Sequence, residues 1–210
     1  MKGLLICDCD EVLLHMVRHF GVWLRERHDI DFTANGGDFA TSMKRRNGGP
    51  PPTREEMWGL LDQFFPAEMH RQTLVPHARE ALAALSEIAD VVILTNLGDH
   101  NRQPRIEQLL GHDMPYRVET NQGGKGDPVS RLVAEFGDPV TVFVDDLAVH
   151  HASVAKHAPH VHRLHMISEP DLAPNVPAAP DAHARIDDWR TAQAWISDIF
   201  AAGHPAIRPL

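Results

Sequence analysis

The chain has 210 residues, room for one core domain with a modest insertion rather than for two full domains. With 43% hydrophobic and 23% charged residues it reads as an ordinary globular protein, and no apolar run reaches the roughly 20 residues that would span a bilayer. A formal net charge of −9 argues against a nucleic-acid polymer as partner, because that attraction is built from Lys and Arg on phosphates. It leaves room for a small phosphate held through a divalent cation.

In chain order, residues 2–7 form a nearly continuous apolar run ending at Asp8, the pattern of a strand buried on both faces. The run stops too early for a secretory signal, and two cysteines, Cys7 and Cys9, make no disulfide framework, so the reducing cytoplasm is the expected compartment. On a strand both cysteines point opposite to Asp8, which makes them small buried residues rather than a thiolate metal site.

Residues 14–74 break the rhythm that follows. An amphipathic helix is predicted over 14–27, with Val17, Phe20, Val22 and Leu24 as its apolar residues, and another over 55–65. Between them Asn47-Gly48-Gly49-Pro50-Pro51-Pro52 must be a loop. Thr53 followed by Glu55 and Glu56 makes a good helix start. Trp58, Phe64 and Phe65 are expected in the core of this insert. Lys44, Arg45 and Arg46 are either a site for an anionic substrate or a solvated basic turn.

From residue 77 onward strands and helices alternate. Strands are predicted over 91–94, 116–119, 141–144 and 162–167, and helices over 77–88, 105–110, 128–136 and 148–157. That alternation implies a parallel sheet covered by helices, a fold in which ligands bind at the carboxyl ends of the strands. Residues 169–180 hold four prolines and read as a connector; 186–200 returns to helical spacing and is expected to pack on the sheet. His150, His151, His157, His160, His162 and His165 show no clear ligand spacing, and surface or edge positions are expected for them in preference to a transition-metal site.

Chemistry concentrates where apolar strands give way to polar residues. Asp8-Cys9-Asp10-Glu11-Val12 follows the first strand, and two carboxylates so placed can share one magnesium through a side chain and a backbone carbonyl. Thr95 and Asn96 offer a hydroxyl and an amide after the second core strand. Lys125 lies in a Gly-rich loop before a helix, and Asp145-Asp146 ends another strand.

The order and contexts of these residues resemble the haloacid dehalogenase superfamily. Asp8-x-Asp10-x-Val12 looks like its first motif, Thr95 its second, Lys125 its third and Asp145-Asp146 its fourth. The resemblance covers residues 3–167. It implies an α/β, Rossmann-like parallel sheet core from 1–13 and 75–210, with 170–210 as proline-rich connector and closing helix. A small helical cap of the C1 type at 14–74 is inserted after the first strand.

The resemblance further implies that Asp8 is a nucleophile, that Asp10 is the acid and base, and that Thr95 and Lys125 hold the phosphoryl group. Asp8, Asp10, Asp145 and Asp146 would bind Mg2+, while Asn96, Lys44, Arg45 and Arg46 are candidates for contacting the substrate. Glu11 stands where many members carry Gly, which bears on the local turn. The implied activity is hydrolysis of a small phosphorylated metabolite, a nucleotide or sugar phosphate, with neither nucleic-acid polymer nor membrane as partner. Halide needs no proton on leaving, so the second aspartate, Asp10, favours phosphoester cleavage over 2-haloacid dehalogenation. A non-catalytic binding role on the same fold stays open.

Overall fold

The computed structural model describes residues 2–34 and 39–207. In chain order the elements are β1 (Gly3–Cys7), β2 (Leu14–His15), α1 (Val17–His28), β3 (Ile30–Phe32), β4 (Met43–Arg45), α2 (Arg54–Glu68) and β5 (Thr73–Leu74). Then follow α3 (Ala78–Ser86), β6 (Ala89–Thr95), α4 (Arg102–Gly111), β7 (Arg117–Thr120), α5 (Gly126–Glu135), β8 (Thr141–Asp145) and α6 (Ala148–His157). The last elements are β9 (His162–His165), β10 (Ala184–Arg185) and α7 (Trp189–Ala202).

Six strands form one parallel sheet in the order β10-β9-β8-β1-β6-β7. The central strands β1 and β8 are buried at every position, which is why they carry unbroken apolar runs. Side chains alternate across the sheet. Leu5 and Cys7 of β1 pack with Leu82 and Leu85 of α3 and with Trp189 and Ile196 of α7. Leu4 and Ile6 face the other way, onto Val129 and Val133 of α5 and Val154 of α6. Trp189 also ties the closing helix to the first loop, its indole Nε1 donating to the Val12 carbonyl at 2.7 Å. Among the described residues, no helix is long and apolar enough to cross a membrane.

The segment between β1 and α3 has a core of its own, built from Phe20, Trp23, Leu24, Ile30, Met43, Met57, Leu60, Leu61 and Phe64. It contains a two-stranded sheet of β3 and β4 besides its two helices, an element absent from the sequence reading. Its chain crosses from the sheet domain and back through β2 and β5, which pair antiparallel. Leu14 therefore belongs to a strand, and the first helix begins only at Val17. Thr53 and Glu56 form a reciprocal capping box at the start of α2, with Glu56 Oε2 accepting from the Thr53 backbone at 2.7 Å.

Two apolar assignments need correction. Trp58 is 59% exposed, because the inward face of α2 runs through Met57, Leu60, Leu61 and Phe64 and leaves position 58 turned by about 100° from Met57. Val22 is likewise exposed on the outer side of α1.

Candidate active site

The site is assembled by three adjacent strands. Cys7 of β1 lies in register with Val144 of β8 and Ile93 of β6, so Asp8 emerges directly beside Asp145, with Thr95 closing the strand on the other side. Asp8, Asp145 and Asp146 each offer an oxygen, and these atoms all lie within 4.8 Å of one another. Lys125, the residue before α5, reaches into this group with no exposed surface. Its Nζ is 2.8 Å from Asp8 Oδ1 and 2.7 Å from Asp145 Oδ2.

One ammonium against three carboxylates leaves an excess of negative charge in a poorly solvated corner. Burial pushes the Asp8 carboxyl up, with Lys125 opposing. Burial and the neighbouring Asp145 and Asp8 push Asp146 up further. Burial alone would lower Lys125, but Asp145 and Asp8 outweigh it and keep the ammonium charged. An all-oxygen, electron-rich cluster of this kind suits a hard divalent cation such as Mg2+.

Asp10 is held apart from this cluster. Arg105 of α4, fully buried, donates to both of its oxygens at 2.9 Å, and Gln72 Nε2 adds a bond of 2.8 Å to Oδ1. The same guanidinium donates to Cys9 Sγ at 3.3 Å. The next residue, Glu11, adopts a left-handed backbone (φ 60°), where the resemblance has glycine. Its side chain turns inward. Glu11 Oε1 accepts from the backbone N–H groups of Met16 at 2.7 Å and Val17 at 2.6 Å, capping α1. Burial pushes this carboxyl up to about 7, against those two bonds.

Asn96 serves the loop geometry. Its amide donates to the Gly123 carbonyl at 2.9 Å and accepts from Asn121 at 2.9 Å, drawing the Lys125 loop against the end of β6. Lys44, Arg45 and Arg46 have no contact with Asp8. Arg45 is bound to Glu56 and the Pro50 carbonyl, and Arg46 pairs with Asp29 and Asp31, all within the insert.

The histidines divide: His157 and His160 are exposed and His162 half-buried, in line with surface and edge positions, and the other three depart from that expectation. His150, His151 and His165 are buried. His151 Nε2 lies 3.0 Å from the Asp145 carbonyl and His165 Nε2 lies 2.9 Å from the Asp146 carbonyl, so two imidazoles brace the backbone that presents the acids. Arg105 and Gln72 were not among the residues that the sequence pointed to. A cationic residue on a short amphipathic helix looks like its solvent face, and only the fold shows Arg105 turned inward.

No protein-family model matches the chain, and no curated protein matches it. Solved structures do. YfnB of Bacillus subtilis, named as a HAD-hydrolase and bound to magnesium, superposes with a TM-score of 0.65 at 12% identity, over 93% of this chain and 98% of that one. A predicted phosphoglycolate phosphatase from Haemophilus somnus gives 0.64 at 16% identity, covering 92% and 97%. A haloacid dehalogenase-like family hydrolase from Streptococcus pneumoniae gives 0.62 at 11%, covering 93% and 98%. The chain has the haloacid dehalogenase-like fold. At these identities the likeness is one of architecture, and it extends through nearly the whole of each chain, insert included. On this haloacid dehalogenase-like scaffold, the acids and Lys125 sit at the carboxyl ends of the strands, where an open parallel sheet offers its crevice.

Proposed function

We propose that the protein is a magnesium-dependent hydrolase of small phosphomonoesters, with Asp8 as nucleophile. The observation that carries this reading is the pairing of a buried carboxylate at the end of β1 with Lys125, inside a cluster of three acids. Asp8, the Asp10 carbonyl, Asp145 and Asp146 are the groups that would hold Mg2+. The ion would supply charge neutralisation on the phosphoryl oxygens.

The remaining steps belong to the chain's own residues. Asp8 attacks phosphorus, the P–O bond to the leaving group breaks, and an aspartyl-phosphate forms, which splits one hard displacement into two. Asp10, oriented by Arg105 and Gln72, gives a proton to the leaving oxygen and then takes one from the water that cleaves the acyl-phosphate. Lys125 and Thr95 stabilise the phosphoryl oxygens. The insert beside the strand ends is suited to excluding bulk water and large substrates, which favours a nucleotide or sugar phosphate.

Phosphate release from a panel of small phosphomonoesters, measured with Mg2+ and with EDTA, tests this reading. Wild type should be active only with the metal, and Asp8→Asn should be inactive while remaining folded. An Asp8→Asn variant with full activity would sink the mechanism. Silence of the folded, magnesium-loaded wild type across the panel would favour a ligand-binding role.

A further inference from the structure

About the first loop, away from the strand-end acids, a second group of potential ligands converges. Glu11 comes from the turn after β1, His15 from β2 and Glu169 from the connector beyond β9. All three are buried, and each offers one ligand atom within 4.8 Å of the others. We infer that Glu11, His15 and Glu169 form a second cation site, suited by its one nitrogen and two oxygen donors to a divalent transition ion such as Zn2+.

Unused electron pairs carry this assignment. Glu11 is 1% exposed, and while its Oε1 is committed to the start of α1, its Oε2 has no hydrogen-bond partner. His15 is 3% exposed, and its Nδ1 also has none. A buried polar atom left unpaired costs about 1–3 kcal/mol, and two such atoms in one group call for an occupant. His15 Nδ1 lies 3.7 Å from Glu169 Oε2, too far for a good hydrogen bond. It is close to the separation of about 3.4 Å between two ligands arranged tetrahedrally around zinc.

The surroundings are those of a held ligand set. Arg18 grips Glu169 with both arms, Nε to Oε2 at 2.7 Å and Nη2 to Oε1 at 3.0 Å, which fixes the carboxylate as outer-shell partners do around metals. The Met16 and Val17 amides fix Glu11 in the same way. Three protein ligands leave a coordination position for water or a small anion. A cleft of about 710 Å³, walled by Arg18, Phe32, Glu169 and Asp171 among others, gives the ion a path to Glu169. Bound there, it would join the connector to the first loop at the foot of the insert. This site does not depend on the phosphohydrolase reading.

The test uses the full chain, stripped with chelator and then given Zn2+ in the presence of excess Mg2+ to saturate the strand-end acids. Metal analysis after gel filtration should find about one zinc per wild-type chain. His15→Gln and Glu169→Gln should each bind at least about tenfold more weakly, while Asp146→Asn should retain the ion. Co2+ in place of Zn2+ should give visible absorption from an imidazole-bound tetrahedral centre in wild type, and lose it in His15→Gln. Unfolding curves in EDTA establish that the variants are folded, and the two ligand variants guard against failure of either. No zinc uptake by wild type, or uptake unchanged in both ligand variants, would overturn the site.

Discussion

Replacing Lys125 by methionine isolates the electrostatics of the strand-end cluster. The substitution keeps the length of the stem and removes the charge that stands 2.8 Å from Asp8 and 2.7 Å from Asp145. Removing one partner of a buried ion pair costs about 3–5 kcal/mol, because the remaining charge has no solvent to return to. With a urea m-value of about 2 kcal/mol/M, the unfolding midpoint should fall by roughly 1.5–2.5 M in EDTA near neutral pH.

Two further readouts follow from the same cause. Burial already pushes Asp8 up, and without Lys125 its folded pKa rises further above the unfolded value. A carboxyl raised in this way destabilises the fold above its unfolded pKa, so the defect should shrink as pH falls towards 4. Mg2+ at roughly 100 times its dissociation constant adds about 2.7 kcal/mol to either form, and the defect should shrink because the variant, left with more uncompensated negative charge, binds the ion more tightly than wild type. The assay is urea unfolding of wild type and Lys125→Met with EDTA or Mg2+, at neutral and mildly acidic pH. An unmoved midpoint, or a loss that neither Mg2+ nor acid reduces, would refute the reasoning.

Arg105→Met should cost about 3 kcal/mol in chemical denaturation and slow phosphate release most for poor leaving groups, because Asp10 loses both arms of its clamp. Arg105→Lys restores charge without the planar fork and should stay impaired; a fully active Arg105→Met would make the clamp dispensable. Gly126→Ala places a methyl group against the Ser153 carbonyl and the His157 ring, so thermal unfolding should show a loss of about 1–3 kcal/mol as α5 is forced off α6. Burial lowers His151 to about 3, so the folded state holds its imidazole neutral where the unfolded chain protonates it. From pH 6.5 down to about 3 wild type should therefore lose about 1.4 kcal/mol per pH unit more than His151→Gln, and parallel stability curves would contradict this.

The core was legible because its signals are local. Residues 3–7 and 142–144 are apolar throughout, and each run gives way to an aspartate that the parallel register sets beside the other. The short strands β2, β3, β4, β5 and β10 were not legible. Two or three residues carry no period, and such strands exist only because a partner distant in sequence supplies the hydrogen bonds.

At the site, Asp8, Lys125, Asp145 and Asp146 could be picked out by motif order, but what surrounds them could not. Arg105 and His151 look like surface residues in the sequence, since burial of a polar side chain is decided by the partner it meets: Asp10 for one, a backbone carbonyl for the other. Glu11 stood out only as a departure from glycine. Its capping of α1 depends on a chain reversal that no pattern of residue types encodes. Glu169 lay within a proline-rich stretch whose composition spoke only of irregular structure.

The pairing of β2 with β5 sets Leu14 opposite Leu74 and His15 opposite Thr73, so both crossings between sheet domain and insert lie side by side. Adjacent anchor points make the intervening residues a cassette. The segment can be exchanged for another of different size while the order of the six core strands, and the acids at their ends, remain untouched. A two-rung ladder is also a soft joint, whose twisting would tilt the whole insert without altering its internal packing. Beyond these four residues the insert touches the sheet domain through pairs such as Arg18 with Glu169 and Gln72 with Asp10, which such a tilt would have to break.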